Sequence, residues 1–399
     1  MDPVETTPVA TEPAAPSPSA EPPPPPPAEP AEPSPAQLAA AEQTAFVRHL
    51  GTLTPRIWVT YALLFANVAV YAAMVLSGAD WMEPRVDALL RFGADYGPRT
   101  TGGEWWRLLS NTFVHIGLIH LAFNMVVLAQ IGVLVERLVG SLPFLVVYLL
   151  SGILGSFASI AWNAGGISAG ASGAVFGCYG LFLAVLARNR GVIPPAVHGK
   201  LLRGAGLFIV YNLGYAALQS NIDQLAHLGG LAAGFILGLI VALPLAPGAV
   251  PLRTRRAVVA LAAGLALCAG LAAVLPRAGD WMAELVELDA AEARGVARAQ
   301  EVLAQGRAGK LDDKSAAAVI RQEILPPLVA ARERLAHLAR LRGRPRKVVD
   351  ISVRYADKRA EAWTTMADAL ETSDAAKQAQ IAPLFKAANV IMKELSDMK

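Results

Sequence analysis

The sequence predicts an all-α polytopic membrane protein: seven transmembrane helices followed by a helical extramembrane segment at the carboxyl end. Three observations carry this prediction. The 399 residues are 54% hydrophobic and only 17% charged, with a mean hydropathy of +0.42, which is too apolar for an ordinary water-soluble chain. Seven apolar runs equal or approach the ~20 residues a helix needs to cross a ~30 Å hydrocarbon core. Beyond residue 275 the composition turns abruptly to alanine and mixed charge. The net charge of +3, with Lys and Arg mixed among Asp and Glu, argues against nucleic acid as a partner. Cys178 and Cys268 both sit inside apolar runs and read as packing residues, so no disulfide, metal site or cofactor is expected.

Residues 1–45 read as a disordered, proline-rich cytoplasmic tail. Fourteen of the 28 prolines fall within residues 1–36, beside acidic residues and without one Lys or Arg, a composition that cannot offset its ordering entropy by burial. The apolar runs follow at 57–76, 116–135, 144–162, 172–186, 204–218, 226–243 and 257–275. The first two are separated by a long connection holding Trp81, Trp105 and Trp106 among mixed charges. Tryptophan favours the membrane interface, so this connection is expected in the headgroup region with short helices of its own.

Basic residues set the orientation. Arg188, Arg190, Lys200 and Arg203 follow the fourth run and Arg253, Arg255 and Arg256 follow the sixth, whereas residues 163–171 carry no charge. The positive-inside rule then places the amino terminus in the cytoplasm of a cell membrane and residues 276–399 outside. That outer segment has helical apolar spacing at Leu325, Leu328, Val329, Leu335, Leu338 and Leu341, and again at Trp363, Met366 and Leu370. Pro326-Pro327 suggests a kink, while residues 343–345 and 372–374 suggest breaks, giving three or four helices whose partner is unknown.

Polar side chains inside such runs are costly and mark function by default. His120 and Asn124 share one face of the second run, with His115 just before it; Ser172 opens the fourth and His227 lies at the start of the sixth. All three helices run inward from the same side, so these groups converge at one depth. Small residues at every fourth position on one helix, Gly230, Gly234 and Gly238, and Gly173, Gly177 and Gly180 on the other allow the close approach that a Ser-to-His hydrogen bond requires. The fourth run spans only about 22 Å, so the glycine-rich backbone before it lies at membrane depth and implies a water-filled cavity. A serine beside an imidazole there suggests acyl transfer, with Ser172 as nucleophile and His227 as base. Asn124, His120 and backbone N–H groups at the helix start could hold the oxyanion. No Asp or Glu is placed to orient His227, so a dyad is favoured over a triad.

These residues resemble the rhomboid family of intramembrane serine proteases. Trp106-Arg107 resembles its Trp-Arg motif; His115, His120 and Asn124 its H-x4-H-x3-N pattern; Gly170-Ala-Ser172-Gly173 its G-x-S-G; and Ala226-His227 with Gly230 and Gly234 its A-H-x-x-G-x-x-x-G. The resemblance covers residues 56–243. It implies a rhomboid-like six-helix core and a Ser172/His227 dyad supported by His120, Asn124, Gly170 and Gly173. It also implies substrates that are single transmembrane helices of other membrane proteins, cut near their outer end. Phe176 stands where bacterial relatives often have a tyrosine packed on the catalytic histidine. A catalytically silent, rhomboid-like binder of membrane helices is the alternative expectation. The seventh helix, 257–275, and the segment 276–399 go beyond the resemblance.

Overall fold

The structure, a computed structural model, describes residues 34–219 and 222–397, together with positions 7, 10 and 11. Helix α1 (Pro35–Leu53) opens with a capping box, in which Ser34 Oγ accepts from the Gln37 N–H and the Gln37 side chain accepts from the Ser34 N–H. This corrects the expectation of a disordered tail over residues 1–45. Residues 35–45 belong to a helix, anchored by burial of Phe46, Leu50 and Leu53 in its later turns. Apart from positions 7, 10 and 11, the proline-rich stretch before Ser34 lies outside the described residues.

After α2 (Val59–Leu76), the long connection folds into the short helices α3 (Val86–Arg91), α4 (Gly97–Thr101) and α5 (Arg107–Ser110), with strand β1 (Asp95–Tyr96) between the first two. Helices α6 (Leu118–Val139) and α7 (Ser141–Trp162) follow. Strand β2 (Ile167–Ser168) then pairs antiparallel with β1, Asp95 opposite Ser168 and Tyr96 opposite Ile167. Next come α8 (Ser172–Arg188), α9 (Pro195–Ala217), α10 (Gln224–Val241) and α11 (Leu252–Val274). Among the described residues, five helices, α2, α6, α7, α10 and α11, are long and apolar enough to cross a membrane. Helix α8 is apolar but has 17 residues, about 25 Å of rise, and α9 carries Lys200 and Arg203 in its first half.

Helices α7, α8 and α10 form the centre, since small residues let their backbones approach. A Cβ at Gly230 would collide with the Gly173 carbonyl, and one at Gly234 with the Gly177 carbonyl. At the opposite end of the bundle from Ser172, two buried charges fasten helix ends. Glu136 on α6 accepts from the N–H groups of Trp58, Val59 and Thr60 at 2.8–3.0 Å, satisfying the start of α2 as a cap would. Arg253 on α11 donates to Leu53 O, Thr54 Oγ1 and Leu138 O.

The carboxyl-terminal segment is helical, as expected: α12 (Trp281–Arg307), α13 (Asp313–Val319), α14 (Leu325–Ala336), α15 (Gly343–Thr372) and α16 (Ala375–Ser396). A π turn over Ile320–Ile324 joins α13 to α14. Pro326 and Pro327, where a kink is expected, fall directly after this π turn in the first turn of α14, where missing N–H groups cost little. The segment has its own core, built from Leu288, Ile320, Ile324, Leu328, Leu335 and Trp363. Arg359 pairs with Glu292 beside it.

Candidate active site

Ser172 is the first residue of α8, and His227 lies in the first turn of α10. The close contact between these helices brings His227 Nε2 to 2.9 Å from Ser172 Oγ. With Nε2 accepting the serine proton, the other ring nitrogen carries hydrogen. That Nδ1 is buried and has no hydrogen-bond partner among the described residues. Phe176, one turn beyond Ser172, stacks on the imidazole with centroids 4.5 Å apart and planes 13° from parallel. The ring is therefore held by stacking and by Ser172, with no carboxylate among the described residues hydrogen-bonded behind it. Chemically, a hydroxyl facing an imidazole at this distance is an arrangement for removing the serine proton during attack on a carbonyl.

The connection into α8 turns at Gly170, whose φ of +136° is one that side-chain-bearing residues rarely adopt. A Cβ there would also press on the His120 ring, with Nε2 only 3.1 Å away. His120 is thus beside the residue two before Ser172, and His115 stands next to it with ring centroids 5.3 Å apart. The N–H of Ala171 donates to His115 Nε2 at 3.4 Å, and His120 Nδ1 is buried without a hydrogen-bond partner among the described residues. Asn124 is buried, but its amide Nδ2 donates to the His120 carbonyl of its own helix at 2.9 Å. One of its two amide hydrogens is therefore engaged, and the second remains for another acceptor. Gly173 sits in the α8–α10 contact, where a Cβ would come within 3.3 Å of the Ala226 carbonyl.

Trp106 and Arg107 lie away from the serine, within the connection between α2 and α6. Arg107 is buried, donates to the carbonyls of Leu90 and Ala94 at 2.7 and 3.0 Å, pairs with Glu104 at 2.5 Å and sits 4.5 Å over the Trp106 ring. Its place is to close that connection on itself.

Two participants escape the sequence motifs. Asp223 caps α10: its Oδ1 accepts from the Ala226 N–H at 3.1 Å and its Oδ2 from Ser159 Oγ at 2.5 Å, tying the start of the histidine helix to α7. An Asp just ahead of an apolar run is a legible N-cap signal. Asn111 accepts from the Gly170 N–H at 2.9 Å and donates to Ser156 Oγ at 2.8 Å. Its position in an irregular connection gives no such signal.

Residues 102–244 match the family model described as a Rhomboid domain. The chain is 39% identical over 207 residues to Rhomboid protease GluP of Bacillus subtilis (strain 168), covering 51% of this chain and 39% of that one. It is 38% identical over 149 residues to RHOMBOID-like protein 4 of Arabidopsis thaliana, covering 37% of each. It therefore spans about two fifths of the length of these two relatives. With Putative rhomboid protease YdcA of Bacillus subtilis (strain 168) it shares 35% identity over 147 residues, 36% of this chain and 71% of that one. The matched region holds both Ser172 and His227, and the chain belongs to the rhomboid family as an integral, multi-pass membrane protein.

Proposed function

We propose that the chain is an intramembrane serine endopeptidase that hydrolyses peptide bonds in or near transmembrane helices of other membrane proteins, with Ser172 as nucleophile and His227 as general base. The observation that carries this is the 2.9 Å approach of His227 Nε2 to Ser172 Oγ between two apolar helices. Attack by Ser172 would put negative charge on the substrate carbonyl oxygen near the start of α8, where unpaired backbone N–H groups and the helix dipole favour it. The free amide hydrogen of Asn124 and the His120 ring are the side-chain donors in this account, and Gly170 and Gly173 give the backbone its shape. Collapse of the adduct breaks the C–N bond as the His227 imidazolium gives its proton to the leaving amine, and water then attacks the Ser172 ester with His227 as base to release the acid. Trp106, Arg107 and His115 support the frame, while Phe176, Gly230 and Gly234 hold the two helices and the imidazole together.

The same reading takes α2 and α6–α11 as seven crossings of a cell membrane, with the amino terminus cytoplasmic and α12–α16 outside. It is supported by the ends of the bundle: α2 and α11 both begin at the end marked by Glu136 and Arg253, opposite Ser172. The test is cleavage of a single-span model substrate in proteoliposomes. Wild type is expected to cut, with kcat reduced about 10³-fold or more in Ser172→Ala and His227→Ala. Equal cleavage by all three would exclude the dyad; binding without cleavage by wild type would favour the silent membrane-helix binder.

A further inference from the structure

We infer that the carboxyl-terminal helices are part of the catalytic unit, because their Trp281 and Arg342 act as positioning residues for the backbone that delivers Ser172. This rests on the protease reading above. Residues 163–171 join α7 to α8 as irregular backbone, and at membrane depth such backbone must find partners inside the protein. Its bonds can be followed residue by residue. The N–H of Asn163 closes α7 on Ser159 O, that of Gly170 goes to Asn111 O, and that of Ala171 to His115 Nε2. Between them, Ile167 and Ser168 are held in the β1–β2 ladder.

The Gly166 N–H turns back to Asn163 O at 3.1 Å, and further anchors come from the far end of the chain. The Ala164 N–H donates to Arg340 O at 3.2 Å, and Trp281 Nε1–H donates to Gly165 O at 3.0 Å. Arg342 completes the clip: its N–H donates to Asn163 Oδ1 at 3.1 Å, its Nε to Trp162 O at 3.2 Å, and its guanidinium lies 3.7 Å over the Trp162 ring. Gly165 has no side chain where Leu341, Pro345 and Trp281 close in, so the loop is shaped to receive them. The start of α12 also fastens the other strand of the ladder. Tyr96 O–H donates to Asp280 Oδ1 at 2.7 Å, and the Ala278 N–H donates to Thr101 Oγ1 at 2.9 Å.

A tail that merely packed for its own stability would present an apolar face. This one already buries an apolar core among its own helices, and it is tied to the membrane core by directed bonds to residues 162–165 and to Tyr96 and Thr101. The consequence is asymmetric, because the clip holds the serine side of the dyad and makes none of these bonds to α10, which carries His227. Loosening it would let Ser172 drift relative to the base, and misplacement near 1 Å can cost about 10²-fold in rate.

The test uses the full chain in proteoliposomes with the single-span substrate. Trp281→Phe, which keeps a ring but loses the donor, and Arg342→Ala are each expected to lower kcat about tenfold with KM changed less than about twofold. Arg342→Lys, which can still donate to the Trp162 carbonyl, should recover part of the loss. Deuterium uptake should rise in residues 163–171 while α12–α16 stay protected. Unchanged kcat in these variants of an active wild type would overturn the clip and leave the protease reading intact. A kcat loss accompanied by exchange throughout α12–α16 would also overturn it, since that is unfolding. A wild type that neither cleaves nor reacts at Ser172 would instead sink the protease reading, and this inference with it.

Discussion

Asp95 is a carboxylate buried beside the loop that leads to Ser172. Thr100 Oγ1–H donates to its Oδ1 at 2.5 Å, while Oδ2 is buried without a hydrogen-bond partner among the described residues. Loss of solvent, the larger effect, raises its pKa from 3.8 to about 7, and the Thr100 bond only partly opposes that. The folded state therefore holds this proton more tightly than the unfolded one. The stabilisation is full below the unfolded value of 3.8 and is lost as the pH rises to the folded value of about 7. Thermal midpoints of the wild type should fall across that interval, and Asp95→Asn should flatten the decline. An identical slope in the variant would show that Asp95 does not titrate this way. No spacing in the sequence marks Asp95, because its burial depends on pairing with Ser168, which is distant in the chain.

Among elements, the α8–α10 contact was the most legible. The fourth apolar run covers 172–186 and the helix spans Ser172–Arg188; the sixth covers 226–243 and the helix spans Gln224–Val241. Glycine spacing is a local signal, and it pointed to the right faces. The prediction it supports is a contrast between two glycines. Gly234→Ala places a methyl against the Gly177 carbonyl and should cost about 1–3 kcal/mol, with loss of activity. Gly270→Ala, in α11 with nothing within 4 Å, should be neutral or stabilising by about 0.4–1 kcal/mol. Equal effects on the detergent-solubilised unfolding midpoint would contradict a tight contact. The short helices α3, α4 and α5 were legible only as a region. Each has four to six residues, too few to show a period, and Arg107 fixes them through carbonyls up to 17 residues back in the chain.

At the scale of the whole molecule, the helical unit after residue 275 lies at the same end of the bundle as Ser172. The contacts that put it there join Trp281 to Gly165 and Arg342 to Trp162, 116 and 180 residues apart in sequence, and no local pattern announces them. The sequence showed that the segment is helical and charged, but not what it touches. If the bundle crosses the membrane seven times, a cysteine placed at Ser396 should react with an impermeant maleimide only from the extracytoplasmic side. Labelling only from the cytoplasmic side would contradict that topology. The central claim, that His227 activates Ser172 within the membrane, is met most directly by treating the reconstituted protein with a fluorophosphonate and locating the adduct by mass spectrometry. The account predicts a single adduct on Ser172 Oγ whose formation collapses in His227→Ala. An adduct on another residue, or undiminished labelling of Ser172 in His227→Ala, would contradict it.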